Sequence, residues 1–313
     1  MKRHETTTRA ILILSVIFMM TSFMFAGVSN AALEYDKFYS ITAFEGNSAL
    51  WSIDPINGTT DVVTTLYFQN GSPAPVPPDF RINALAFSPD NELFGWNNAA
   101  NQLYSINYDT GYINPIGAAN LNPDTQWTNG LAFDRSGDLY GLVDGYPSDN
   151  FYLINPATGT SSLIGDAGPN IYHTGLAIDF STDELYALSG CNFSWGCTYD
   201  TLYKLDKNTG QRLSSINLTP AVNAGGVGLE FYPVTGELYT IRGGNRLMTV
   251  DIISGAETQK FILDGINTTS LAAPYPAVVP EPESYILFIS GVLILGSGLF
   301  INRLKLKPHS THS

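Results

Sequence analysis

Ala84-Leu85-Ala86-Phe87-Ser88-Pro89-Asp90-Asn91-Glu92-Leu93-Phe94-Gly95-Trp96, followed after a variable loop by Leu103-Tyr104-Ser105-Ile106-Asn107, is the stretch that decides the fold. Two short apolar runs flank a Pro-Asp-Asn turn, and a third run ends on Asn107. The third run recurs as Leu50-Trp51-Ser52-Ile53-Asp54, Phe151-Tyr152-Leu153-Ile154-Asn155, Leu202-Tyr203-Lys204-Leu205-Asp206 and Leu247-Met248-Thr249-Val250-Asp251. Each closing Asx is followed four residues later by a glycine: Gly58, Gly111, Gly159, Gly210 or Gly255. An Asx side chain bonds the backbone two residues on, and glycine adopts the left-handed conformation that returns the chain. A fourth strand follows each turn, as in Thr160 to Ile164.

Four antiparallel strands repeating every 45 to 53 residues define a β-propeller blade. Innermost strands centre on Leu85, Leu131, Leu176 and Leu229, but the first unit, which starts at Lys37, has none before it. The missing strand is supplied from the far end by Thr269-Ser270-Leu271-Ala272-Ala273. The sequence thus predicts an all-β, five-bladed propeller over residues 32–273, closed by its C-terminal strand, so that truncation before Thr269 is severely destabilising. A six-bladed ring with a degenerate blade and an open β-sandwich are the alternatives. Five quartets and one complementary strand account for residues 37–273 with nothing left over, which favours five blades.

Composition agrees. Of 313 residues 44% are apolar and only 14% charged, against the low hydrophobicity of a disordered chain. The formal charge of −13 argues against nucleic acid as a partner. Residues 32–279 alone hold nine basic and 25 acidic side chains, a net of −16. The remaining cations flank two apolar segments. Lys2, Arg3 and Arg9 precede the apolar run Ala10 to Phe25, and Ser29-Asn30-Ala31 offers small residues for signal peptidase, so residues 1–31 read as a secretory signal. Residues 284–301 form an 18-residue uncharged segment read as a transmembrane helix. Arg303, Lys305 and Lys307 in the tail, 302–313, keep that end cytoplasmic and turn the domain outwards.

Just before that segment lies Val279-Pro280-Glu281-Pro282-Glu283-Ser284, within a Pro-rich linker over residues 274–283. Pro280-Glu281-Pro282, then an apolar helix, then a basic end, resembles the PEP-CTERM sorting signal of Gram-negative bacteria. The resemblance covers about the last 30 residues; its basic end is spread by Leu304 and Leu306, and Pro308 to Ser313 extend past it. It implies transient anchoring in the inner membrane, recognition and removal of the helix by an exosortase, and a mature protein on the cell surface or outside, commonly where exopolysaccharide is made.

In an up-and-down blade the turns between strands one and two and between strands three and four share one face. Here these turns are short and uniform, whereas the connections on the other face are long and differ between blades: Phe68 to Arg81, Asn120 to Asn129, Val143 to Asn150, Gly168 to Thr174, Gly190 to Thr201 and Thr219 to Gly226. Variable loops on a rigid scaffold are where binding usually resides. Trp127, Tyr146, Tyr172, His173, Phe193 and Trp195 concentrate there among Asn, Asp and Gly. Such rings suit the apolar faces of sugars, and they equally suit packing beneath their own loops.

Glu92, Asp138, Glu184 and Glu237 each precede a second strand and read as solvated turn positions. Glu230 stands where sister strands carry Ala86, Ala132, Ala177 and Ala272; it is a lone carboxylate, whereas glycoside hydrolysis by the usual route needs two. Cys191 and Cys197, six apart in an exported chain, are expected to form a disulfide contributing about 2 kcal/mol. His173 is the one histidine of the fold, no metal-ligand or nucleophile-elbow spacing accompanies it, and no cofactor is implied. The leading expectation is a non-enzymatic surface or matrix protein that binds polysaccharide or another surface protein. The alternative is a secreted glycoside hydrolase or lyase using Glu230, His173 or loop carboxylates. So acidic a ring favours a polysaccharide that is neutral, cationic or bridged by divalent ions.

Overall fold

The computed structural model describes residues 33–42, 49–69, 73–76, 80–118, 127–144, 148–168, 175–190, 200–220, 227–268 and 270–276. The chain divides into two compact units, one ending at Tyr275 and the other beginning at Pro276. Of the second unit only Pro276 is described.

The first unit is a five-bladed β-propeller. Blade one contains β1 (Phe38–Ile41), β2 (Ala49–Ile53) and β3 (Thr60–Thr65). Two short strands, β4 (Tyr67–Gln69) and β5 (Pro73–Pro75), lead into blade two, made of β6 (Ala84–Phe87), β7 (Leu93–Asn97), β8 (Gln102–Ile106) and β9 (Tyr112–Ala118). Blade three holds β10 (Trp127–Phe133), β11 (Leu139–Asp144), β12 (Asp149–Ile154) and β13 (Ser161–Gly168). Blade four holds β14 (Gly175–Ile178), β15 (Leu185–Ser189), β16 (Thr201–Leu205) and β17 (Arg212–Asn217), and blade five β18 (Val227–Phe231), β19 (Leu238–Arg242), β20 (Arg246–Val250) and β21 (Glu257–Ile262). Within blades two to five these strands pair consecutively and antiparallel.

The fourth strand of blade one comes from the other end of the domain, as expected. Tyr39 and Ala272 exchange both main-chain bonds, at 2.7 and 2.9 Å, and Thr42 bridges to Thr268. Ser40 Oγ donates to the Ser270 carbonyl at 2.5 Å. The ring is closed by hydrogen bonds between residues some 230 positions apart.

The core consists of five apolar clusters, one at each seam between neighbouring blades. Successive side chains of a strand point to opposite faces, so each innermost strand serves two seams. Leu85 and Phe87 pack towards blade one, whereas Ala84 and Ala86 pack towards blade three. This explains why the strands read as near-continuous apolar runs rather than alternating ones. Each fully buried Leu or Phe contributes roughly 1.5–3 kcal/mol, and every seam holds several.

The segment Phe68 to Arg81, read from sequence as a loop, is only partly one. β4 pairs parallel with β9, and β5 pairs antiparallel with β4, which extends blade two to six strands. Prolines 73 and 75 lie on the outermost edge, where a missing N–H costs no ladder bond.

Candidate functional site

The ring has two unlike faces. Five Asx turns on one face share the same closing bond: in each, the glycine N–H donates to the Asx carbonyl at 2.8–2.9 Å. The Asx Oδ1 accepts the N–H two residues on, at 2.8 Å in Asp54, 3.1 Å in Asn107 and 2.9 Å in Asn155. Glu92, Asp138 and Glu237 are exposed there, as expected. Glu184 is half-buried and receives Lys204 Nζ at 2.6 Å, which lowers its carboxyl below the ordinary value. Between blades three and four, Lys207 Nζ bridges Asp134 Oδ2 at 3.0 Å and Asp183, while Arg135 donates to the Phe180 and Ser181 carbonyls. Lys207 and Arg135 thus link the turns of blades three and four.

The opposite face carries the ends of the second strands, where Thr42, Asn97, Val143, Ser189 and Arg242 share one register position. Arg242 is fully buried. Its Nε donates to Glu257 Oε1 at 2.8 Å, and Nη2 lies 3.3 Å from Asp200 Oδ2 across the seam from blade four to blade five. Burial pushes the Glu257 carboxyl up and the Arg242 charge opposes it. The Asp200 carbonyl also accepts the Leu218 N–H at 2.8 Å, so Asp200 is held through both its side chain and its backbone. Sequence reasoning missed this triad. Its signal was an arginine where sister blades carry Thr, Asn, Val or Ser.

Glu230 is buried, as are the alanines at the equivalent positions of the sister strands. Its Oε1 accepts the Phe231 N–H at 2.9 Å and its Oε2 the Ala273 N–H of the closing strand at 3.4 Å. Burial pushes this carboxyl up to about 8. Beyond the closing strand, Tyr275 crosses from blade one to blades three and four. Its hydroxyl donates to the Phe133 carbonyl at 2.6 Å, and its ring meets Phe180 edge-on at 5.0 Å. Burial raises its phenol, and the Glu230 charge adds to the effect. The sequence places Pro274 and Tyr275 in the linker; the structure holds both in the first unit, which ends at Tyr275.

Among the sequence-predicted binding residues, Trp127 opens the inner strand β10, where its backbone pairs with Asp144 instead of lying in a loop. Tyr146, Tyr172, His173, Phe193, Trp195, Cys191 and Cys197 lie outside the described residues. So do Pro280, Glu281, Pro282, Arg303, Lys305 and Lys307, the signal segment and the apolar segment 284–301. Among the described residues no group of three or more His, Cys, Asp and Glu is placed to hold a metal ion, and no helix is long and apolar enough to cross a membrane.

No family model and no curated protein matches the chain. Solved structures with related folds include a gluconolactonase from Xanthomonas campestris, 14% identical over 75% of this chain and 80% of that one, with a TM-score of 0.46. Virginiamycin B lyase from Staphylococcus aureus is 17% identical over 72% and 70%, with a TM-score of 0.42. A chain of a nidogen/laminin complex is 10% identical over 75% and 97%, with a TM-score of 0.46. The fold assignment rests on the sheet topology itself.

Proposed function

We propose that this chain is an exported propeller, sorted through a PEP-CTERM signal at Pro280-Glu281-Pro282, that binds polysaccharide or a surface protein through its variable-loop face without turning it over. The observation that supports this reading is the polarity of the ring. Tyr232 Oη donates to the Asp36 carbonyl at 3.2 Å, which fixes the N-terminal entry on the short-turn face, and Tyr275 fixes the C-terminal exit on the same face. A chain tethered or processed at those ends presents its variable loops away from the tether. In the competing hydrolase or lyase reading Glu230 is the nominated acid; its two oxygens are committed to main-chain N–H groups, which favours the binding module.

Signal peptidase and an exosortase are the processing partners this reading requires. Mass spectrometry of the protein recovered from a Gram-negative host with an exosortase is expected to find a C-terminus near Pro280, and Glu281→Ala is expected to retain the tail. An intact Arg303–Ser313 end on the wild-type protein would overturn the sorting assignment. Binding to extracted exopolysaccharide without turnover, lost in Trp127→Ala or Trp195→Ala, tests the ligand. Oligosaccharide cleavage abolished by Glu230→Gln would instead establish the enzyme.

A further inference from the structure

Among the described residues, seven of the nine exposed large apolar side chains belong to blades five and one: Tyr35, Ile56, Val62, Val234, Ile252, Ile253 and Ile262. Five of these seven lie on the short-turn side. The repeats supply an internal control. At the second position after the turn Asx, blades two, three and four carry Asp109, Ala157 and Asn208, but blades one and five carry Ile56 and Ile253. Ile253 is 87% exposed, Ile56 62% and Val234, in the neighbouring turn of blade five, 63%. The turn geometry needs no large apolar side chain, since the sister turns close with the same hydrogen bond around Asp109, Ala157 and Asn208. Ile252 and Ile253 line a groove of about 380 Å³ together with Gly236, Glu237, Thr249 and Thr258.

The chain itself indicates what covers this patch. It leaves the ring on this face, and Pro276 to Glu283 are the eight residues between Tyr275 and the uncharged segment 284–301. Fully extended as polyproline they reach only about 25 Å, so a bilayer that took up that segment would be held on a short tether to Tyr275. We propose that the short-turn side of blades five and one is a lipid-contact surface, with Ile56, Val234, Ile252 and Ile253 entering the interfacial region of a bilayer. This rests on the membrane-segment part of the proposed function. The driving force is apolar burial, which scales with the area inserted. Charge opposes it on anionic lipid, because Asp54, Glu237 and Asp251 flank the patch. The fitting surface is therefore a zwitterionic one.

The test uses the full chain in phosphatidylcholine vesicles carrying brominated acyl chains, with a tryptophan reporter placed by Ile253→Trp or, as control, Asn208→Trp at the same turn position of blade four. The added fluorescence of Ile253→Trp is expected to be quenched about twofold more than that of the control, less so when phosphatidylglycerol replaces part of the lipid. The double variant Ile56→Asn/Val234→Thr, which copies the polarity of sister turns, is expected to reduce that quenching. Vesicles that float with the protein but quench both reporters equally overturn the lipid surface and leave the membrane segment standing. A chain that does not float overturns both. Concentration-dependent shielding of the Ile253→Trp reporter in detergent, without lipid quenching, would assign the patch to a second copy of the chain and also overturn the proposal.

Discussion

The glycine of each Asx turn sits at φ between +72° and +74°, a conformation that costs any other residue a Cβ clash with its own backbone. At Gly111 a second demand is added: a Cβ there would overlap the Thr65 carbonyl oxygen of the preceding blade. Gly137, at +89°, has nothing within 4 Å of such an atom. Gly137→Ala is therefore expected to lower stability by about 1 kcal/mol, and Gly111→Ala by at least about twice that, in urea unfolding. Equal losses would show that blade contact plays no part. Glu230 gives a second residue-scale test. Its carboxyl is raised from 4.5 to about 8 by burial, so the folded ring holds this proton to higher pH than the unfolded chain does. The contribution is fully present below pH 4.5 and is lost as pH rises towards about 8. Glu230→Gln, which cannot ionise, is expected to exceed the wild type in stability by on the order of 3 to 5 kcal/mol above pH 8, with the advantage vanishing near pH 4. A pH-independent difference would show that charge burial is not its origin. The turn glycines were legible because their spacing repeats; the height of the Glu230 shift was not, because it depends on chain folded over it from residue 273.

The closing strand is the element on which the ring depends. It supplies the inner strand of blade one, the acceptors for Ser40, the N–H that Glu230 receives and the tether for Tyr275. A chain ending at Thr268 loses all four and leaves Leu271 and Ala273 missing from the seam between blades five and one. It is expected to show no cooperative thermal transition, whereas a chain ending at Pro276 is expected to unfold as the full domain does. Tyr275→Phe, which removes only the bond to Phe133, is expected to cost about 1 kcal/mol. The closing strand could be read in advance because its absence from the first repeat is a countable gap. β4 and β5 could not. They are short and Pro-rich, and β4 pairs in parallel with Tyr112 and Ile113 of the next repeat, so no adjacent turn announces the pairing.

For the molecule as a whole, the repeat period and the offset of one strand determined the blade number, the order of strands and the identity of the closing segment. These follow from local chemistry: apolar strands must pair, and Asx-to-Gly turns dictate antiparallel neighbours. The net charge of −16 over residues 32–279 likewise belongs to the sequence alone. What the sequence could not supply is the relation between distant positions. That Arg242 stands between Asp200 and Glu257, that Glu230 caps the closing strand, that Tyr275 belongs to the ring and that seven exposed apolar side chains gather on two adjacent blades all depend on residues brought together only when the ring shuts. Burial and charge pairing act through space at a few ångströms, whereas the repeat is a property of the chain. The chain therefore fixed the propeller, and only its closure decided which side chains were buried together, which were left exposed, and where the two ends leave the ring.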